Sequence, residues 1–200
     1  MRILIDMDGI LADLLGKWLR HYNDDYDDCL TINMVDSWHL WECVKPECSQ
    51  SDIMSYIKRP GFFDDLEPLE GAIEGVRSLH AMGHSIKFAT APAGPDSARA
   101  KLEWLDRHFH GSGLSALDSF VCHDKTWINA DLIIDDKPET LRRWQKTNPG
   151  LTATIEYPYN AHLAVDCLAP DCSNTRAAWE QIVSFVRELE NVVVFKRHNT

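Results

Sequence analysis

Residues 1–13 read MRILIDMDGILAD. Within them Arg2 to Asp6 form a strand-like run with Ile3, Leu4 and Ile5 at its centre, and two carboxylates, Asp6 and Asp8, flank a single methionine before Gly9. An unbroken aliphatic run fits a strand covered on both faces, as in a parallel sheet. Two acids at its end repel each other unless a cation or a shared proton intervenes. A glycine at that point lets the chain turn sharply.

The pattern repeats downstream. SIKFAT at 85–90, SFVC at 119–122, DLIID at 131–135 and TATIE at 152–156 read as strands. Helical patterns alternate with them at 72–82, 96–109, 139–145 and 174–190. Such alternation predicts an α/β fold with a parallel sheet flanked by helices. The interval from about Leu14 to Leu66 breaks the rhythm, with an acid run and the aromatic stretch SWHLWECV. It reads as a small helical subdomain inserted after the first strand, so the expected division is a core of 1–15 and 67–200 and a cap of 16–66. Asp24, Asp25, Asp27 and Asp28 lack the glycine and glutamate of a calcium loop and read as a solvated face.

Two hundred residues, 44% hydrophobic and 26% charged, suit one compact domain. The net charge of −11 opposes a nucleic-acid polymer as partner, because such affinity rests on lysine and arginine neutralising phosphates. No apolar run reaches the roughly 18 residues of a membrane span, and the first strand begins at residue 2, so a cytoplasmic protein is expected. Cys43, Cys48, Cys167 and Cys172 form two C-x4-C pairs with a shared pattern, C-[VL]-x-P-[ED]-C-S-[QN]. They could staple a structural zinc, but Pro, an acid and Ser also favour simple bends, and bends are the preferred reading. VVVFK at 192–196 is open between a last strand and a homodimer contact.

Ligands of open α/β sheets bind beyond the carboxyl ends of the strands. There stand Asp6, Asp8 and Gly9, Thr90, Lys125 just past the third strand, and the pair Asp135 and Asp136. Converging carboxylates push one another's pKa values up, and a hard cation relieves this. Mg²⁺ takes oxygen ligands, commonly from one or two carboxylates, and leaves positions for substrate phosphate. Asp6, Asp8, Asp135 and Asp136 are therefore the expected metal site. Thr90 and Lys125 are the expected phosphate ligands, with backbone N–H groups around Gly9 adding donors near a helix start.

DMDGILAD, FATAP, HDKT and LIIDDKP, in this order, resemble the four motifs of the haloacid dehalogenase (HAD-like) superfamily of phosphatases. Together with GFFDDLEPLEGAIEGV and KLEWLDRHF they resemble the 5'(3')-deoxyribonucleotidase family. The resemblance implies a Rossmannoid core and a Mg²⁺-dependent hydrolysis of deoxyribonucleoside monophosphates. Asp6 would be the nucleophile and form an aspartyl-phosphate; Asp8 would be the general acid and base. The metal would be held by Asp6, the Asp8 carbonyl, and the Asp135/Asp136 pair, with Asp136 favoured as the direct ligand. It also implies that the cap selects the substrate, with Trp38, Trp41, Phe62 and Phe63 as candidates to stack on a base, Phe62 and Phe63 being better suited to packing.

Three positions depart from the animal members: Leu14 stands in place of phenylalanine, Ala91, beside Thr90 in the phosphate site, in place of serine, and His123 in place of arginine. These changes leave the reaction class and bear on the substrate, so another small phosphomonoester is the alternative. A phospho-accepting receiver module is disfavoured by Asp8 and by the cap, and a zinc-stapled interaction protein would rest on the cysteine pairs alone.

Overall fold

The structure is a computed structural model that describes residues 1–198, with side chains given for 1–117 and 119–191. Six parallel strands form one sheet: β1 (Arg2–Asp6), β2 (Ser85–Thr90), β3 (Phe120–Val121), β4 (Leu132–Ile134), β5 (Leu151–Ile155) and β6 (Cys167–Ala169), in the order β3-β2-β1-β4-β5-β6. β1 is central, with Asp6 in register with Ala89 and Ile5 with both Phe88 and Ile134. This register brings the ends of β1, β2 and β4 to a common rim, as expected of a doubly wound sheet.

The helices are α1 (Leu14–Tyr26), α2 (Gln50–Tyr56), α3 (Ala72–Ala81), α4 (Pro95–Phe109), α5 (Pro138–Thr147) and α6 (Thr175–His198). The two-residue period of the strands sorts their side chains between two faces. Ile3, Ile5, Phe88, Leu132 and Ile134 join the larger core with α1, α3, α4 and α6, whereas Leu4, Ala89 and Ile133 meet Leu141 and Trp144 of α5 on the other side. Helix starts follow their sequence signals. Pro95 and Pro138 stand in the first turn of α4 and α5, and Asp13 caps α1 by accepting the Gly16 N–H at 2.8 Å.

Between β1 and α3 lie α1, two short 3₁₀ turns (Ile32–Met34 and Leu40–Glu42) and α2. Trp18, Tyr22 and Tyr26 stack at four-residue spacing along α1, with centroids 5.5 and 5.3 Å apart, and Tyr56 of α2 meets Trp18 edge-on. The acid run is tied locally: Asp25 accepts the Tyr56 hydroxyl and Asp28 the Tyr22 hydroxyl. Phe62 and Phe63 are buried against each other where the chain returns to the core.

One sequence expectation needs correction, and two open alternatives narrow. CLA of the second cysteine pair is strand β6, and the chain turns only after it, at Cys172 and Ser173, with Asp171 at φ 71° and the Asn174 N–H donating to the Asp171 carbonyl at 2.9 Å. The four cysteines do not converge, because among the described residues the one group of three or more His, Cys, Asp or Glu with ligand atoms within 4.8 Å of one another is Asp6, Asp135 and Asp136. VVVFK is not a strand: the run from 175 contains no glycine or proline and the backbone stays helical through His198. Its side chains, and with them any dimer contact, lie outside the described residues. Among the described residues no helix is long and apolar enough to cross a membrane.

Candidate active site

The end of β1 delivers Asp6 into a buried charge cluster. Lys125, in a 3₁₀ turn (Lys125–Trp127) after β3, places its Nζ 2.7 Å from Asp6 Oδ1 and 2.6 Å from Asp135 Oδ2. That turn is held by Asp124, which accepts the Thr126 N–H at 3.1 Å and is paired with Arg143. Burial alone would push the Lys125 ammonium toward neutrality, but Asp135 and Asp6 outweigh it and raise its pKa well above the ordinary lysine value. Lys125 is therefore a fixed cation.

The four carboxylates do not have the same surroundings. Asp6 Oδ1 also accepts the Met7 N–H, at 2.7 Å. Both oxygens of Asp135 are engaged, by Lys125 and by the Lys137 N–H at 2.9 Å. Burial, opposed by Lys125 and reinforced by Asp6, pushes the Asp135 pKa up to about 6. Asp136 Oδ2 accepts the Tyr159 hydroxyl at 2.6 Å, while Oδ1 is buried without a partner. Burial first, then the charges of Asp6 and Asp135, raise its pKa far above the ordinary carboxylate range. Asp8 points elsewhere: Oδ2 meets Lys101 Nζ at 2.5 Å and Oδ1 is buried and unpartnered. Its pKa is raised by burial, with Lys101 opposing and Asp6 adding to the rise.

Asp6, Asp8, Asp135 and Asp136 against Lys101 and Lys125 leave a formal surplus of two negative charges. Within the cluster Asp6, Asp135 and Asp136 bring ligand atoms within 4.8 Å of one another. A buried, unpartnered carboxylate oxygen is costly as it stands, and a divalent cation would supply what Asp136 Oδ1 lacks. The donor set is all oxygen and fits a hard cation. Asp135, with both oxygens taken, fits better as a support than as a ligand.

Of the expected phosphate contacts, Thr90 is fully buried with its hydroxyl unpartnered, at the end of β2. The Ala91 carbonyl accepts from Lys101 at 3.4 Å. The expectation for Gly9 changes. Its N–H donates to the Ala12 carbonyl at 3.0 Å, and the N–H groups of Leu11, Ala12 and Asp13 are likewise bonded to backbone carbonyls, because α1 opens only at Leu14 after a tight turn. Gly9 instead provides room. At φ 69°, a β carbon there would stand 2.3 Å from Asp136 Oδ2.

Beside the carboxylates lies a cavity of about 120 Å³ lined by Asp8, Gly9, Leu14, Trp18, Trp38, Leu40 and Tyr159, among others. Trp38 is partly exposed and meets Tyr159 edge-on at 5.5 Å, whereas Trp41 stacks on His39. Larger hollows lie elsewhere, including one of about 360 Å³ between residues 57–64 and the start of α4. The carboxylates with raised pKa values stand beside the smaller cavity and not in the larger hollow.

Lys101, Tyr159 and Asn160 were not picked out from the sequence. Lys101 had a readable signal, since it interrupts the apolar stripe Ala100, Trp104, Leu105, Phe109 of α4. Tyr159 and Asn160 had none. Asn160 is fully buried and locks the turn after β5 by donating to the Asp136 and Ile155 carbonyls, each at 3.1 Å, and accepting the Tyr157 N–H at 2.8 Å.

A family model described as 5' nucleotidase, deoxy (pyrimidine), cytosolic type C protein matches residues 1–186. The chain is 34% identical over 148 residues to the mitochondrial 5'(3')-deoxyribonucleotidase of Mus musculus, covering 70% of this chain and 66% of that protein. It is 28% identical over 158 residues to the 5'(3')-deoxyribonucleotidase of Bacillus subtilis (strain 168), covering 79% of this chain and 86% of that one. The chain thus spans just under two thirds of the mouse protein's length. Among solved structures, the D,D-heptose 1,7-bisphosphate phosphatase of B. bronchiseptica, complexed with magnesium and phosphate, shares the fold with a TM-score of 0.50 at 13% identity, over 92% of this chain and 99% of that one.

Proposed function

The chain belongs to the 5' nucleotidase, deoxy (pyrimidine), cytosolic type C family, and we propose that it is a Mg²⁺-dependent phosphatase hydrolysing 5' or 3' deoxyribonucleoside monophosphates in the cytoplasm. The observation that carries this reading is the buried cluster of Asp6, Asp135 and Asp136 around Lys125 at the carboxyl rim of the sheet. Six free cysteines accord with a reducing compartment. The substrate is a small phosphomonoester, and the net charge of −11 argues against a nucleic-acid polymer.

In this mechanism Lys125 and the Met7 N–H hold Asp6 Oδ1, which leaves Oδ2 to attack phosphorus. The ester P–O bond breaks, and its electron pair stays with the leaving oxygen, which takes a proton from Asp8. Asp8 suits this role because burial raises its pKa, against the opposing charge of Lys101. Water then attacks the aspartyl-phosphate, gives its proton to Asp8, and returns the electron pair to Asp6. Asp6, Asp136 and the Asp8 carbonyl would hold Mg²⁺, which supplies charge neutralisation for the phosphoryl oxygens when bound. Thr90, Lys125 and the backbone at Ala91 would hold those oxygens.

Residues 16–66 are assigned as the cap and 1–15 with 67–200 as the core. Trp38, Leu40 and Ile57, from the inserted segment, line the cavity beside the carboxylates and support a role in choosing the substrate. The test is phosphate release from the common 5' and 3' deoxynucleoside and ribonucleoside monophosphates, with Mg²⁺ or with chelator. Chelator and Asp6→Asn should each abolish turnover. Activity surviving in Asp6→Asn sinks the covalent mechanism, and turnover of sugar phosphates with no deoxynucleotide hydrolysed sinks the substrate assignment.

A further inference from the structure

Lys101 is 1% exposed, inside the apolar face of α4. An ammonium there is costly unless its charge is matched, and the match is Asp8 Oδ2 at 2.5 Å. The surroundings of Nζ leave it little freedom. The Ala91 carbonyl lies 3.4 Å away and the Phe63 ring centroid 4.8 Å away. Phe63 is itself buried where the inserted segment rejoins the core. Asp8 Oδ1, by contrast, has no partner although it is buried.

A carboxylate free to rotate offers either oxygen to a reacting group, and each misaligned orientation is unproductive. We propose that Lys101 is a positioning residue for the phosphatase reaction: by holding Asp8 Oδ2 it presents Oδ1 as the single oxygen that gives a proton to the leaving group and later takes one from water. The inference rests on the assignment of Asp8 as acid and base. Lys101 makes no bond to phosphorus or to the substrate; it acts through the direction in which Asp8 faces.

The leaving group supplies the test. A deoxynucleoside leaves as a basic alkoxide and needs the proton; p-nitrophenolate leaves as a stable anion and does not. Wild type, Lys101→Met and Lys101→Gln are compared in Mg²⁺ on deoxyuridine 5'-monophosphate and on p-nitrophenyl phosphate, with the first turnover of the latter followed by rapid mixing. Lys101→Met should lower kcat on the nucleotide by about 10²- to 10⁴-fold, with KM little changed. First-turnover nitrophenolate release should stay within about tenfold of wild type, after which the phosphoenzyme accumulates, because water activation also needs Asp8. Lys101→Gln, which still offers an N–H to Oδ2, should recover part of the nucleotide activity and serves if the methionine variant does not fold. Equal losses on both substrates, or no loss on either, overturn the positioning role. A wild type inactive on both esters overturns the phosphatase reading itself, an outcome distinct from equal losses in an active enzyme.

Discussion

Gly9 lies so close to Asp136 that a β carbon on the glycine would stand 2.3 Å from the carboxylate's Oδ2 and 2.8 Å from its Cγ. Both objects are fixed: the Gly9 N–H is bonded to Ala12 and its carbonyl accepts the Tyr157 hydroxyl at 2.8 Å, while Asp136 is held by Tyr159. Gly9→Ala therefore combines a left-handed backbone, costing an L residue about 1–2 kcal/mol, with displacement of a proposed metal ligand. The expected outcome is a lower melting temperature and at least about a tenfold weaker Mg²⁺ affinity, read by unfolding scans and calorimetric Mg²⁺ titration. Unchanged Mg²⁺ affinity would remove Asp136 from the metal site.

Tyr159→Phe takes away the hydrogen bond at Asp136 Oδ2 and leaves the fold's apolar contacts, including the stack on Tyr157 at 5.0 Å. Burial, then the charges of Asp6 and Asp135, raise the Asp136 pKa, and the Tyr159 hydrogen bond, together with the charge of Lys125, opposes this. Without it protons compete better with the cation. The expected change is about 10- to 100-fold in the Mg²⁺ concentration needed for half activity, larger at pH 6 than at pH 8. A variant with wild-type Mg²⁺ dependence at both pH values would show the contact to be structural only.

His84 predicts a pH dependence of stability. Burial, then the nearby N-terminal ammonium, lower its pKa from 6.5, with Glu190 opposing. The Met1 amine stands 3.3 Å from Nδ1 and Glu190 3.5 Å from Nε2. A depressed pKa means that the unfolded chain binds the proton first, so the neutral ring's contribution is whole above about pH 6.5 and is lost as pH falls below it. Asp8, Asp135 and Asp136, whose pKa values are raised, act with the opposite sign. Comparing wild type with His84→Gln in urea at pH 8 and pH 5.5 isolates the histidine. The wild type should lose more of its unfolding free energy between the two pH values than the variant does. An equal loss would remove His84 from the titration.

How much of the site could be read from the chain depends on how far each contact reaches. The strand ends were legible because a buried parallel strand is a short local pattern and the chemistry stands one or two residues beyond it: Asp6 after RILI, Thr90 after IKFA, Asp135 and Asp136 after LII. β6 was missed because CLA is only three residues long and lies within a motif whose Pro, acid and Ser signal a bend. Gly9 was assigned a phosphate-facing N–H by analogy with helix starts, but the helix begins five residues later and that N–H is already bonded to Ala12.

The sequence by itself determined the parallel α/β sheet, through apolar periodicity and acids placed at strand ends, and the family, through the resemblance of its motifs. Only the tertiary structure decided which oxygen of each acid is free. Lys101 reaches Asp8 across 93 positions, and Tyr159 reaches Asp136 across 23. Such pairings leave no local period in the chain, because they exist only after register and helix packing have brought distant segments to one rim. Burial then makes them matter: in a dry cluster each carboxylate must find a cation, a proton or a hydrogen bond, and the one each finds sets what it can do.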